Sequence, residues 1–286
     1  MSAAPIRPAP IRLFHASDLH FGKEDQGALD WFAACVRAEK PDAVAITGDL
    51  TMRARHHEFA ACCDWILSLD VPVTVEVGNH DLPYWNLAER FIDPYRRIRK
   101  IEALVEREID LPGLSIVPLK TTARAQMRLN WSRGWVGRGP LKRALTAIDA
   151  LPPNHLVLVT AHHPLVEAGT KGRALTTGGN RALAALAKAG AAAVLTGHVH
   201  DPFDLIQQTP QGPIRMIGAG TLSMRIRSTP ASFNELRIAD GRIDVRVRNR
   251  DSVPTPDMMI DDVPANAEPP GPDDPVAAVG AAPEAG

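Results

Sequence analysis

The sequence predicts a layered α/β fold with two β-sheets, and two observations favour it. Over the first 200 residues, short apolar runs typical of buried strands alternate with helical patterns, as a layered α/β domain requires. After His200 the pattern changes to shorter strand-like runs, which suggest a meander that completes a second sheet. These runs are Ile214 to Ile217, Ser232 to Ile238 and Arg242 to Val247.

The elements before the meander follow one another along the chain. The apolar runs that predict strands are Ile11 to Phe14, Ala43 to Ile46, Val73 to Val77, Leu156 to Val159 and Ala193 to Leu195. The segments with helical patterns are Asp25 to Ala38, Ala54 to Leu69, Asn86 to Lys100, Pro140 to Ala150 and Asn180 to Ala189. Within the meander, Ala239-Asp240-Gly241 is a typical turn sequence.

The 286 residues are enough for one α/β domain with a substantial core. We expect a flexible N-terminus over residues 1–10, one domain over residues 11–250 and a C-terminal tail over residues 251–286. The tail is rich in Pro, Ala, Asp, Glu and Gly. We expect Pro264 to Gly286 to be disordered, because this composition cannot bury enough apolar area to offset the entropy of ordering.

Charge and composition exclude several classes of partner. The formal net charge is -1, so bulk electrostatics indicate neither a nucleic-acid polymer nor a membrane surface as a partner. No apolar stretch is long enough for a transmembrane helix, and Met1 to Pro10 lacks the apolar core of a signal peptide. The three cysteines, Cys35, Cys62 and Cys63, form no disulfide framework. We therefore expect a cytoplasmic protein without integral membrane association.

Five short polar blocks follow the predicted strands directly. They are Asp18 with His20, Gly48-Asp49, Gly78-Asn79-His80-Asp81, Ala161-His162-His163-Pro164 and Gly197-His198-Val199-His200. Open α/β sheets bind ligands in the crevice at the carboxyl ends of their strands, so the blocks can converge there. Asp, Asn and neutral His are suitable ligands for Mn, Fe, Zn or Co. The blocks together predict a site for two metal ions.

Taken singly, most of the blocks are weak indications. An Asp-x-His sequence is more often a capped turn, and Gly-Asp is ordinary turn chemistry. Gly197-His198-Val199-His200 is the strongest, because two histidines separated by one residue can reach neighbouring positions around a metal centre. Either His162 or His163 could face a metal. The prediction depends on the blocks occurring together, each behind an apolar run.

In this order the blocks resemble those of the calcineurin-like metallophosphoesterase family, in its bacterial class III phosphodiesterase branch, over roughly Arg12 to Arg248. The resemblance implies a four-layer αββα sandwich of two mixed sheets flanked by helices, with a dinuclear metal site at the carboxyl ends of the strands. It implies one metal ion held by Asp18, His20 and His200. It implies a second ion held by Asn79, His162 and His198, with Asp49 bridging the two ions. The ions would be divalent or trivalent Mn, Fe, Zn or Co.

The same resemblance implies hydrolysis of a small phosphodiester by a metal-bridging hydroxide, with cyclic nucleotides as the familiar substrates of the branch. His80 would be the general acid. We take Asp81 as the residue that orients it, because Met52 stands where related Ser/Thr phosphatases have a carboxylate. Arg225 and Arg227 are candidate substrate-binding residues, because they occupy alternate positions of a hairpin expected after the last histidine pair.

Alternatives remain open at this point. A pyrophosphatase acting on a nucleotide-linked lipid precursor, as the UDP-diacylglucosamine hydrolases do, would need an apolar groove for acyl chains, and the insertion between Tyr84 and Val117 mixes apolar with basic residues. A non-catalytic scaffold is disfavoured by the complete ligand set. A homodimer is the candidate assembly. Trp131 and Trp135 could stack on a base or anchor a loop. The other histidines, His15, His56, His57 and His155, and the basic run Arg96 to Lys100 are expected to be structural or solvated.

Overall fold

The computed structural model describes residues 10–83, 86–105, 109–123, 132–173 and 176–251. Most of the predicted flexible N-terminus, almost all of the predicted tail, and Trp131 lie outside these described residues. In the described part of the chain, no helix is long and apolar enough to cross a membrane.

The strands, numbered in chain order, are β1 (Ile11–Ala16), β2 (Ala43–Ile46), β3 (Val73–Val75), β4 (Leu114–Pro118), β5 (Leu156–Thr160), β6 (Ala191–Thr196), β7 (Phe203–Thr209), β8 (Gly212–Gly218), β9 (Ser232–Ala239) and β10 (Arg242–Asn249). The helices are α1 (Gln26–Glu39), α2 (His56–Leu67), α3 (Leu87–Ile92), α4 (Arg96–Val105), α5 (Arg138–Asp149) and α6 (Gly179–Lys188).

The strands form two mixed five-stranded sheets. The first sheet has the order β10-β9-β1-β2-β3, in which β1, β2 and β3 are parallel and β9 is antiparallel to β1 and β10. The second has the order β4-β5-β6-β8-β7, with β7 antiparallel to its neighbour. The parallel strands bring their carboxyl ends to one edge of each sheet, where ligands bind in open α/β folds.

The alternation of side chains along β1 explains the layers. Phe14 packs with α1, α2 and α4 residues in one apolar cluster, while its neighbour Leu13 packs between the two sheets. A third cluster joins the second sheet to α5 and α6. The result is a four-layer αββα sandwich, as the resemblance implies.

Helix α1 shows how the sequence specifies an outer layer. Asp25 caps its first turn, accepting a hydrogen bond from the Ala28 amide at 3.1 Å. Leu29, Phe32 and Val36 then recur on one face and are fully buried. Burial of each such large side chain contributes about 1.5–3 kcal/mol to folding.

The predicted elements are all present, but the structure differs from the prediction in three places. The helix predicted over Asn86 to Lys100 is two helices, α3 and α4. Pro94 explains the break, because proline disfavours helical backbone at the preceding residue, and Asp93 has φ -150°. Strands β4 and β7 were not predicted; β4 ends in a proline, and β7 is an edge strand that ends in the polar residues Gln207, Gln208 and Thr209.

The prediction that the late strands complete the second sheet is wrong for two of them. Only β8 of the three predicted runs joins the second sheet, whereas β9 and β10 extend the first sheet beside β1. The pairing of β9 with β1 buries most of β9. Which strands pair depends on residues distant in the sequence, and a local sequence pattern does not show this.

Candidate metal centre

The polar blocks lie in loops that directly follow strands of both sheets. Backbone hydrogen bonds join these loops: the Asp18 amide donates to the Gly48 carbonyl at 3.0 Å, and the Gly197 amide donates to the His162 carbonyl at 2.9 Å. The His198 amide donates to Asp18 Oδ2 at 2.8 Å, across the two sheets. The five blocks therefore converge on one crevice.

The backbone of this crevice is strained. Asp18, His20, Asp49, His198 and His200 all have positive φ, between 48° and 69°, which L residues rarely adopt. Such conformations cost of order 1–3 kcal/mol each and persist where the surrounding structure enforces them, commonly at functional sites. Half of the ten described non-glycine residues with positive φ belong to this crevice.

Two glycines allow the loops to approach each other. A Cβ on Gly78 would lie 2.1 Å from the Asp49 amide nitrogen, and a Cβ on Gly197 would lie 1.7 Å from Ser17 Oγ. Neither distance is compatible with a side chain. The glycines of the Gly-Asn-His-Asp and Gly-His-Val-His blocks are therefore required for the close packing of the loops.

Asp18, His20 and His200 form the first group of candidate ligands, and all three are buried. His200 Nε2 lies 3.0 Å from Asp18 Oδ1, and His20 Nε2 lies 3.6 Å from the same oxygen. The Nε2 atoms of the two imidazoles are 3.3 Å apart. One metal ion could therefore contact all three side chains.

Asp49 lies between this group and the next. Its Oδ2 is 3.7 Å from His20 Nε2, and its Oδ1 is 3.4 Å from His162 Nε2. The Asp49 side chain is 1% exposed. Because its two oxygens face different histidines, this carboxylate has the position expected of a ligand shared by two ions.

The second group contains His162, Asn79 and His198. His162 Nε2 lies 3.2 Å from Asn79 Oδ1, and the His162 and His198 rings are 5.2 Å apart between centroids. His163 lies against both rings, but Thr121 Oγ1 and the Ser132 carbonyl occupy its two ring nitrogens. This geometry favours His162 over His163 as the residue that faces a metal.

Backbone carbonyls orient two of the imidazoles. His162 Nδ1 donates to the Thr47 carbonyl at 2.7 Å, and His200 Nδ1 donates to the Arg225 carbonyl at 2.6 Å. In the neutral rings the lone pair is then on Nε2, which points at the Asp49 or Asp18 carboxylate. A lone pair facing a carboxylate is repulsive unless a cation lies between them.

The electrostatics of the crevice also favour a bound cation. Burial lowers the pKa of His162, but the Asp49 and Asp18 carboxylates and the Thr47 carbonyl outweigh burial and raise it to about 9. Burial raises the pKa of Asp49, but the surrounding histidines hold it well below its usual range. The carboxylates therefore give this part of the crevice a negative potential, which favours a bound cation.

Buried polar atoms without hydrogen bonds are a further indication that the crevice fits metal ions. Asp18 Oδ1 and His20 Nδ1 make no hydrogen bond with any described residue, although both are buried. Buried polar atoms normally have partners. The buried donor set of carboxylates, imidazoles and an amide fits two transition-metal ions.

His80 and Arg225 lie beside the candidate ligands. His80 Nδ1 donates to the Met52 carbonyl at 2.8 Å, and His80 Nε2 accepts from Arg225 Nη1 at 3.0 Å. The same Arg225 nitrogen is 3.3 Å from His20 Nε2. A guanidinium and an imidazole nitrogen therefore face the crevice next to the first group.

The orienting role predicted for Asp81 is corrected by these contacts. The Asp81 carboxylate accepts from the Leu50, Thr51 and Gly78 amides and from Thr51 Oγ1. It thereby joins the Asp49 loop to the Gly78 loop, while the carbonyl of Met52 orients His80. Burial and the neighbouring Asp49 charge raise the pKa of Asp81 to about 6.

Arg227 is also placed differently from the prediction. The segment after β8 forms no hairpin, so alternate residues do not share a face. Arg225 points into the crevice, whereas Arg227 is exposed and lines a separate depression with Met224, Ile226 and Arg250. The candidate substrate contact is therefore Arg225 alone of this pair.

The remaining histidines lie away from the crevice or support it. His15 is buried between Thr47 and Asn234, and burial lowers its pKa to about 3. His56 and His57 are exposed at the start of α2, and His155 contacts Ser115. Trp135 is 40% exposed in the loop before α5.

The basic run Arg96 to Lys100 lies on α4, where its arginines pair with carboxylates. Arg96 and Arg97 pair with Glu89, and Arg99 pairs with Asp93. These contacts agree with the structural or solvated role expected of the run.

Sequence reasoning missed the residues that hold the crevice together. The carbonyls of Thr47, Met52 and Arg225 orient histidines, but backbone atoms carry no signal in the sequence. Asp201 also binds the segment that carries Arg225. Its place directly after the last histidine block was an available signal.

Comparisons with known proteins agree with this geometry. The family model described as "Calcineurin-like phosphoesterase" matches residues 11–202. No curated protein sequence matches the chain.

Several solved structures share the fold. A dimetal phosphatase from Danio rerio superposes with a TM-score of 0.61 at 14% identity, covering 84% of this chain and 97% of that one. A purple acid phosphatase from yellow lupin seeds gives 0.59 at 13% identity, covering 87% of this chain and 53% of that one. A Plasmodium protein described as the anchor in the inner membrane complex gives 0.52 at 11% identity, covering 85% of each chain. At such identities the likeness shows the fold alone.

Proposed function

The chain belongs to the calcineurin-like phosphoesterase family, and from that premise we propose that it is a metal-dependent phosphodiesterase acting on a small phosphodiester. One observation carries the proposal: side chains from loops of both sheets converge in a buried crevice that is suited to two cations. Hydrolysis of a phosphoric ester is the chemistry that such a site performs in this family.

We assign the ligands as the sequence predicts them. Asp18, His20 and His200 would hold one ion, and Asn79, His162 and His198 would hold the other. Asp49 would be the ligand shared by both. When bound, the ions would acidify a water molecule and polarise the phosphoryl oxygens.

Arg225 contributes the positive charge that the protein itself places in the crevice. Its Nη1 donates to His80 Nε2 at 3.0 Å. A phosphoryl oxygen is a better acceptor for a guanidinium than a neutral imidazole, because the oxygen carries negative charge and both partners are then ionised. We therefore expect Arg225 to transfer its hydrogen bond to the substrate and leave His80 Nε2 available.

His80 then supplies a proton to the departing oxygen. The Met52 carbonyl accepts from Nδ1, so the other ring nitrogen points towards the crevice. Once Arg225 has left it, Nε2 takes up a proton from water; it donates this proton to the alkoxide as the P–O bond breaks, and water reprotonates the ring for the next cycle. This role makes the reaction rate depend on His80 most strongly when the leaving group is a poor one.

The phosphodiester is favoured over a monoester by the resemblance of the motif set to the class III branch. Arg225 also matches a diester, whose phosphate carries one negative charge. Cyclic nucleotides are the first substrates to examine. The cytoplasmic location and the homodimer remain predictions.

A pyrophosphate bond in a nucleotide-linked lipid precursor is the second candidate, and one observation favours it. The helices α3 and α4 expose large apolar side chains, with Phe91 at 47%, Ile92 at 77% and Leu104 at 64% exposure. Acyl chains could contact such a surface. A scaffold role is disfavoured because the ligand-type residues are all present.

The experiment that tests the proposal compares two chromogenic esters. The protein is chelated, dialysed and supplied with Mn, Zn, Fe or Co, and hydrolysis of bis-p-nitrophenyl phosphate is compared with that of p-nitrophenyl phosphate. We expect metal-dependent cleavage that favours the diester. Preference for the monoester would contradict the diesterase proposal, and preference for a lipid-linked pyrophosphate over cyclic nucleotides would favour the second candidate.

A further inference from the structure

We propose that Asp201 is a positioning residue that holds residues 221–229, here called the arginine loop, so that Arg225 faces His80 before substrate arrives. The effect on catalysis rests on the proposed function, because it requires Arg225 to contact the substrate. The anchoring of the loop does not depend on that function and can be measured separately.

Asp201 is placed to bind the backbone of the arginine loop. It follows His200 directly and is 4% exposed. Its Oδ1 accepts hydrogen bonds from the Ser228 amide at 2.8 Å and the Thr229 amide at 3.1 Å. Hydrogen bonds from two amides to one carboxylate oxygen are charge-assisted, and they restrain two consecutive peptide groups.

The first half of the loop has its own anchors. Thr221 Oγ1 donates to the Asp18 carbonyl at 2.7 Å, and the Met224 amide donates to the Lys23 carbonyl at 3.1 Å. The Arg225 carbonyl accepts from His200 Nδ1 at 2.6 Å. The loop is therefore tied to the crevice up to Arg225 by residues of the β1 and β6 loops.

The second half depends on Asp201. Residues 226–228 are exposed and belong to no helix or strand, with Ile226 at 56% exposure. Exposed irregular backbone gains conformational entropy when a restraint is removed. The two amide hydrogen bonds of Asp201 are restraints on this half, and they come from the residue next to a candidate metal ligand.

Arg225 is held at both its backbone carbonyl and its guanidinium. Its carbonyl is held by His200, and its guanidinium lies against His80 and His20. If the backbone beyond Arg225 becomes mobile, the guanidinium spends less time in the crevice. Because Asp201 itself lies outside these contacts, it acts on the reaction through Arg225.

Limited proteolysis of the metal-free full chain tests the anchoring, since trypsin cleaves after Arg225 and Arg227. The variants are Asp201→Ala, which removes the acceptor, and Asp201→Asn, which retains Oδ1. We expect cleavage at these two bonds to accelerate by roughly tenfold in Asp201→Ala and to stay near the wild-type rate in Asp201→Asn. Cleavage at other sites and the melting temperature serve as controls.

Equal cleavage of the wild type and Asp201→Ala at both bonds would overturn the anchoring. If Asp201→Ala does not fold, Asp201→Ser replaces it, because its shorter hydroxyl reaches the two amides less well. Acceleration in Asp201→Ser then supports the proposal, and a wild-type rate contradicts it.

A double-mutant cycle tests the route through Arg225. Asp201→Ala and Arg225→Gln are each expected to lower kcat/KM for bis-p-nitrophenyl phosphate by roughly tenfold, with the metal content per chain unchanged. The double variant should be no slower than Arg225→Gln alone, and Asp201→Asn should recover most of the loss. Multiplicative losses, or loss of metal from Asp201→Ala, would contradict the proposal. Absence of diesterase activity with a protected loop would refute the proposed function and leave the anchoring intact.

Discussion

Replacing Gly78 by Ala should disrupt the crevice by steric overlap alone. An added Cβ would lie 2.1 Å from both the amide nitrogen and Oδ1 of Asp49, and 2.7 Å from its Cα. The overlap involves backbone, so it cannot be relieved by a side-chain rotation. We expect the Asp49 loop to move and binding of both metals to weaken.

The size of the effect follows from the cost of overpacking a well-packed interior, about 1–3 kcal/mol. For a domain of this size, each kcal/mol lowers the melting temperature by about 2–4 °C. We therefore expect a melting temperature about 2–12 °C lower, together with loss of metal measured by elemental analysis after gel filtration.

Gly139→Ala provides a matched control. Gly139 lies in the first turn of α5, and a Cβ there would meet only the tip of Arg143, at 3.6 Å. Since alanine is favoured over glycine in helices, this variant should melt at the same temperature as the wild type or slightly higher. A Gly78→Ala protein that binds two ions and has the same melting temperature as Gly139→Ala would refute the role given to this glycine.

Three further predictions test individual residues. Asp49→Ala should lose metal at both positions and activity together, and an active variant that still binds two ions would show that Asp49 does not bridge them. His80→Ala should retain both metals and lower kcat, most for esters with poor leaving groups, whereas equal losses on nitrophenyl and alkyl esters would count against a general acid. Burial raises the pKa of Glu235, but its ion pairs with Arg237, Arg12 and Arg248 outweigh burial and lower it. The stability that these pairs contribute is therefore present above the usual pKa of Glu235 and is lost as the pH falls through the lowered value. Urea denaturation between pH 7 and pH 3 should show this loss, and Glu235→Gln should reduce it; an unchanged pH dependence in the variant would contradict the assignment.

The sequence predicted the parts of the fold that depend on local patterns. The runs at Ile11, Ala43 and Leu156 are strands because short apolar segments bounded by turns are locally recognisable. Which sheet a strand joins depends on distant partners. For this reason β9 was placed in the wrong sheet, although its position along the chain was correct.

In the candidate site, too, the features that depend on local sequence were predicted, and those that depend on distant contacts were not. The side chains expected to converge do so, because each lies at the carboxyl end of a predicted strand. The partner of His80 could not be read in this way: Asp81 is adjacent in sequence, but the contact is the backbone carbonyl of Met52. Arg227 was misplaced because the hairpin assumed for it is irregular backbone.

The central claim is that two ions occupy the crevice and that activity requires both. The most direct measurement is a titration of the metal-free protein with Mn²⁺, in which bound metal and hydrolysis of bis-p-nitrophenyl phosphate are recorded on the same samples. We predict saturation at two ions per chain, with activity appearing as the second ion binds and neither occurring in Asp49→Ala. Full activity with one ion per chain, or two bound ions in Asp49→Ala, would contradict the account.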